Sequence, residues 1–124
     1  MLTTPLDTLR FMIVDDEMII ALDLEAMLED LGHTVVETVS RVDRGMELAK
    51  TSDIDMAILD INVRGQTSFP IAQILRDRSV PFIFSSGYGE GGLIDGFRDE
   101  LVLTKPYDTE GLRRILQIRH SSTA

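Results

Sequence analysis

Phe11-Met12-Ile13-Val14-Asp15-Asp16 sets four apolar, β-prone residues directly before two carboxylates. Such a short apolar run reads as a strand buried on both faces, with the acids where the strand emerges. The arrangement recurs twice: Met56-Ala57-Ile58-Leu59 precedes Asp60, and Leu101-Val102-Leu103-Thr104 precedes Lys105-Pro106. Residues at the carboxyl ends of parallel strands project into one crevice, so these distant charges are expected to converge there as a cation and phosphoryl site.

Between the runs, helical spacing takes over. Arg10 to Val14 forms the first strand, and Ile20, Leu24, Met27, Leu28 and Leu31 then recur on one helix face until Gly32 supplies a stop. Thr34 to Val39 is β-branched, and Ser40 is expected to cap a helix carrying Val42, Met46 and Ala49 inward. Ile54 to Leu59 is the third strand, followed by a Gly-containing loop and a helix opened by Pro70 with Ile71, Ile74 and Leu75 on one face. Val80 to Phe84 and Leu101 to Thr104 are the fourth and fifth strands, and Asp108 is the expected N-cap of a last helix burying Leu112, Ile115 and Leu116. Near-continuous apolar strands alternating with amphipathic helices predict an α/β fold, a doubly wound five-stranded parallel sheet with helices on both faces. An order of 2-1-3-4-5, as in flavodoxin-like sheets, brings Asp15, Asp16 and Asp60 together at the switch point.

At 124 residues the chain has the size of one domain, expected over 1–124 with a core of about 10–119 and flexible ends at 1–8 and 120–124. No apolar run is long enough for a membrane span, and the amino terminus lacks a basic start and apolar stretch, so a cytoplasmic location is expected. The absence of cysteine excludes disulfides and thiol catalysis. A formal charge of -9 argues against nucleic acid as a partner, because neutralising phosphates takes a basic face. The clustered cations Arg113, Arg114, Arg119 and His120 read as a solvated helix end complementing the helix dipole, with a partner contact as the other reading. Gly87, Gly89, Gly91, Gly92 and Gly96 fall within ten residues, so any fourth helix there is expected to be short, late-starting or mobile.

Three gathered carboxylates repel one another, and a divalent ion resolves the conflict. Hard oxygen donors without histidine or cysteine select Mg²⁺, with Mn²⁺ able to substitute. Asn62 offers its backbone carbonyl as another oxygen, whereas His33 reads as a surface residue after the first helix. One carboxylate can then attack phosphorus, Lys105 supplies positive charge, and Ser86 offers a hydroxyl to a phosphoryl oxygen. A cis Lys105-Pro106 bond is expected to aim the lysine inward.

From about Arg10 to Arg119 this pattern resembles the response-regulator receiver domain of two-component signalling. The resemblance implies a single receiver domain with Asp60 as phosphoacceptor, Asp16 as a direct Mg²⁺ ligand, Asp15 as a ligand through water and the Asn62 carbonyl as a third protein ligand. Ser86 and Lys105 would read the phosphoryl group. The phosphate would come from a histidine kinase or a histidine phosphotransfer protein, and the domain would catalyse transfer onto its own aspartate without being an enzyme in the wider sense. Val102 stands where most receivers carry an aromatic switch residue, and Phe84-Ser85-Ser86-Gly87-Tyr88-Gly89 looks like a variant of the Phe-Ala-Thr-Gly-Tyr-Gly motif of the FAT GUY subgroup. There the glycine-rich segment is the moving part, so residues 87–96 are expected to become more ordered on phosphorylation. Tyr88 and Tyr107 read as packing or loop residues.

Only Ser121 to Ala124 follow the last helix, which favours a stand-alone receiver acting through a downstream protein or relaying phosphate. The alternatives are a receiver excised from a longer regulator with an output domain, and one that signals unphosphorylated. A Mg²⁺-dependent aspartyl phosphohydrolase fits less well, because Asn62 stands where such enzymes need a second acid and there is no room for a substrate cap.

Overall fold

The computed structural model describes residues 8–87, 96, 97 and 99–121. In chain order the elements are β1 (Arg10–Val14), α1 (Met18–Asp30), β2 (Thr34–Val39), α2 (Val42–Thr51), β3 (Met56–Asp60), β4 (Asn62–Val63), β5 (Gln66–Thr67), α3 (Phe69–Asp77), β6 (Phe82–Ser86), β7 (Val102–Thr104) and α4 (Thr109–Ser121). Five strands form one parallel sheet in the order β2-β1-β3-β6-β7, the 2-1-3-4-5 arrangement expected once the short β4-β5 hairpin is set aside.

Strand alternation divides the core in two. Phe11 and Ile13 of β1 pack with Ala21, Leu24 and Leu28 of α1 and Leu112 and Leu116 of α4. Met12 and Val14 face the other way, toward Val42, Leu48 and Ala49 of α2 and Ile71, Ala72 and Leu75 of α3. Helices therefore cover both faces, as right-handed crossovers require. Helix α1 ends at a residue in the left-handed region, Gly32 at φ 94°, while the His33 amide donates back to the Leu28 carbonyl at 2.9 Å. Asp108 Oδ1 accepts from the Gly111 amide at 2.7 Å, the cap expected for α4. Among the described residues no helix is long and apolar enough to cross a membrane.

The sequence reading needs several corrections. Ser40 does not cap α2; Arg41 is the N-cap, without a side-chain bond, because the helix starts at Val42. Gly45 and Leu48 are buried on α2 beside Ala49, while Met46 is half-buried; a Cβ on Gly45 would lie 2.6 Å from Ile71 Cδ1, so glycine lets α2 approach α3. The third strand runs Met56–Asp60 instead of 54–59, and the fourth Phe82–Ser86 instead of 80–84. Pro81 has no N–H for the ladder and contributes its carbonyl, which accepts from the Ala57 amide at 3.1 Å. The loop after Asp60 contains the antiparallel β4-β5 hairpin, turned by Arg64 at φ 52° and Gly65 at φ 80°.

His33 is buried at 5% exposure, not at the surface. Its Nδ1 accepts from the Leu9 amide at 3.1 Å, and its ring lies 5.2 Å from that of Phe11. Burial, with His120 adding to it, holds its pKa below the usual histidine value. The expected fourth helix, Tyr88, Gly89, Gly91 and Gly92 lie outside the described residues, as do 1–7 and 122–124 of the ends expected to be flexible.

Candidate functional site

Sheet register determines what meets at the carboxyl edge. Val14 pairs with Leu59, so Asp15 and Asp60 leave β1 and β3 at the same level. Asp60 in turn pairs with Ser85, and Ser86 with Thr104, which brings Ser86 and Lys105 to that edge from β6 and β7. Main-chain bonds fix the exits: the Asp15 amide donates to the Val39 carbonyl at 3.0 Å and the Lys105 amide to the Ser86 carbonyl at 2.9 Å. The Lys105-Pro106 peptide is cis, as expected.

Asp15 is 2% exposed and Asp60 7%, so two carboxylates lie in a poorly solvated floor. Lys105 Nζ reaches both, at 3.2 Å from Asp15 Oδ2 and 3.1 Å from Asp60 Oδ2, and lies 2.8 Å from Glu17 Oε1. Burial pushes the Asp60 carboxyl up to about 6, against the pull of Lys105 and with the repulsion of Asp15 and Asp16 adding to it. Burial acts against the charge on Lys105, yet the bonds to Glu17 and Asp60 outweigh it and hold its pKa above the usual lysine value. The lysine is a permanent cation at neutral pH.

The neighbouring acids are also held. Asp15 Oδ1 accepts from the Glu17 amide at 2.8 Å at the start of α1. Asp16 Oδ2 accepts from the Arg64 amide at 2.8 Å, and the Arg64 guanidinium donates to the Ser40 carbonyl at 2.8 Å through Nε. The hairpin turn is thereby tied to the ends of β1 and β2. A cleft of about 740 Å³ opens over this floor, lined by Asp60, Asn62, Ser86, Lys105, Pro106 and Tyr107 among others. Burial pushes the Tyr107 hydroxyl up to about 12.

All the residues singled out from sequence therefore meet at this edge: Asp15, Asp16, Asp60, Asn62, Ser86 and Lys105. Val102 does not; it packs half-buried against the core face that holds Phe82 and Phe84. The sequence reading missed Glu17, although it directly follows the acidic pair, and it missed Arg64, which acts on Asp16 through its backbone amide. Asp15, Asp16, Glu17 and Asp60 each offer an oxygen, all within 4.8 Å of one another. Asp15 Oδ2 is buried without a hydrogen-bond partner among the described residues. An all-oxygen, anionic set with an unsatisfied buried oxygen fits a hard divalent cation such as Mg²⁺.

Residues 11–117 match the family model of the response regulator receiver domain. The phyllosphere-induced regulator PhyR of Methylorubrum extorquens is 30% identical in an alignment of 112 residues that covers 86% of this chain and 42% of that protein. The solution structure of SdrG from Sphingomonas melonis Fr1 superposes with a TM-score of 0.81 at 38% identity, covering 93% of this chain and 97% of that one. The crystal structure of PhyR from Brucella abortus gives 0.80 at 30% identity, covering 93% and 49%. The chain spans about half the length of the curated relatives it matches.

Proposed function

The chain belongs to the response regulator receiver domain family, and from that premise we propose that it is a single receiver domain phosphorylated on Asp60. As a family member it is a signalling domain whose chemistry is confined to its own phosphorylation and dephosphorylation. The observation that carries the assignment is a poorly solvated Asp60 with Lys105 3.1 Å away and three further carboxylates, Asp15, Asp16 and Glu17, beside it.

In the transfer, an Asp60 carboxylate oxygen attacks the phosphorus of a phosphohistidine on a histidine kinase or histidine phosphotransfer protein. The O–P bond forms as the P–N bond breaks, and the imidazole nitrogen keeps the bonding pair. Asp16, Asp15, Asp60 and the Asn62 carbonyl would hold Mg²⁺, which supplies charge neutralisation for the phosphoryl oxygens. Lys105 places a fixed positive charge on the same side, and the Ser86 hydroxyl, at the end of β6, receives a phosphoryl oxygen.

The run Phe84-Ser85-Ser86-Gly87-Tyr88-Gly89 supports membership of the FAT GUY subgroup, with Ser86 in place of threonine. The likeness to SdrG, covering 97% of that chain, supports a stand-alone receiver that relays phosphate or controls a protein partner, for which we propose a cytoplasmic location. A second reading, a receiver within a longer regulator, is favoured by the 42% share of PhyR that the chain spans. The sequence of the complete gene separates the two. The chemistry is tested by intact mass after incubation with acetyl phosphate and Mg²⁺. The wild type should gain one phosphoryl group and Asp60→Asn none; an unmodified wild type, or a modified variant, would refute the assignment.

A further inference from the structure

An ammonium group has three protons to donate, and Lys105 faces three carboxylates: Glu17 Oε1 at 2.8 Å, Asp60 Oδ2 at 3.1 Å and Asp15 Oδ2 at 3.2 Å. It donates hydrogen bonds to Glu17 and Asp60 and faces Asp15 as an ion pair. A phosphoryl oxygen arriving on Asp60 competes with these three carboxylates for the ammonium.

The three contacts differ in what their loss costs. Asp15 is buried and its Oδ2 accepts no hydrogen bond among the described residues, so the ion pair with Lys105 at 3.2 Å is what compensates it, and withdrawing the ammonium strands a carboxylate oxygen out of reach of water. Asp60 carries the new group, so its surroundings stay beside Lys105. The Glu17 side chain is 57% exposed, and water can take over the lysine's place on it at little cost.

We propose that Glu17 holds the place of the phosphoryl group on Lys105 in the resting chain, and that phosphorylation exchanges the Glu17 carboxylate for a phosphoryl oxygen. The proposal rests on reading Asp60 as the phosphoacceptor. Glu17 is the N-cap residue of α1, and Met18, Ile19 and Leu22 next to it are exposed. The exchange therefore releases a carboxylate at the start of α1, beside an apolar surface, and carries the state of the β3 edge to that helix.

Titration with beryllofluoride at saturating Mg²⁺, followed by amide NMR, tests the exchange. Glu17→Gln preserves size and removes charge, and it should bind beryllofluoride about three- to fivefold more tightly than wild type, the value of one exposed ion pair. In a Lys105→Met background the same substitution should give no gain, because the competition acts through the lysine. Equal or weaker binding by Glu17→Gln, or a gain that persists without Lys105, overturns the proposal. A wild-type chain that neither binds beryllofluoride nor gains a phosphoryl group from acetyl phosphate overturns the assignment of Asp60 itself, and the exchange with it.

Discussion

Asp60→Asn should make the metal-free protein more stable, although it removes the reactive group. Burial raises the Asp60 carboxyl from 3.8 to about 6, a net effect that already includes the attraction of Lys105. The ionised form is therefore disfavoured in the folded chain by about 2–3 kcal/mol. Because the folded value is the raised one, wild type carries no penalty below about pH 4, loses stability as pH rises toward 6, and pays the full amount above that. Asparagine keeps the size and an acceptor for Lys105 while removing the charge. In chelator at pH 7.5 the variant should gain about 2–3 kcal/mol in urea denaturation, roughly 6–12 °C in Tm for a domain of this size. By pH 4 the gain should shrink below about 1 kcal/mol. Added Mg²⁺ should narrow the gap at pH 7.5 by stabilising the wild type more. A variant no more stable than wild type at pH 7.5, or one whose advantage is undiminished at pH 4, would show that Asp60 is not held in a charge-averse floor.

Lys105→Ala should leave Mg²⁺ binding largely intact yet uncouple phosphate from shape, so its beryllofluoride-bound amide spectrum should not reach the wild-type bound pattern; arrival there would contradict the role given to the lysine. His33 makes an opposing contribution, which falls as pH drops below about 6.5, because it is held neutral in the fold and binds a proton more readily when unfolded. His33→Gln should lose that part of the slope in pH-dependent denaturation, and an unchanged slope would argue against it. Asp108→Ala removes the acceptor for the Gly111 amide and should cost about 1 kcal/mol in urea denaturation, against no change if the cap is idle.

The apolar runs made the fold and most of the site legible, because a strand buried on both faces leaves little choice of residue and its charged end marks the exit. Asp15, Asp16, Asp60 and Lys105 were readable for that reason. Glu17 was not, since an exposed glutamate opening a helix is ordinary, and its pairing with Lys105 depends on a contact 88 residues away in sequence. His33 misled through its neighbours: it follows the Gly32 stop, where chains usually surface, yet its ring turns in over Phe11. The strands after Asp55 and Val80 began late because apolar character continued past the ladder, and Pro81 concealed the true start of β6. Ser40 has the composition of a cap one residue too early, and its carbonyl serves Arg64 instead. The β4-β5 hairpin escaped because two-residue strands carry no periodicity.

Arg64 holds Asp16 by a peptide N–H, in a backbone conformation that glycine or asparagine adopts more easily than arginine does. The clasp on the acid is thus indifferent to the side chain, and exchanging Arg64 for either residue would sever the tether to Ser40 while sparing the grip on Asp16. Proline, lacking the hydrogen, would break both at once. Anyone surveying sequences for this feature by residue type would pass over it, since what the position transmits is a donor belonging to the main chain.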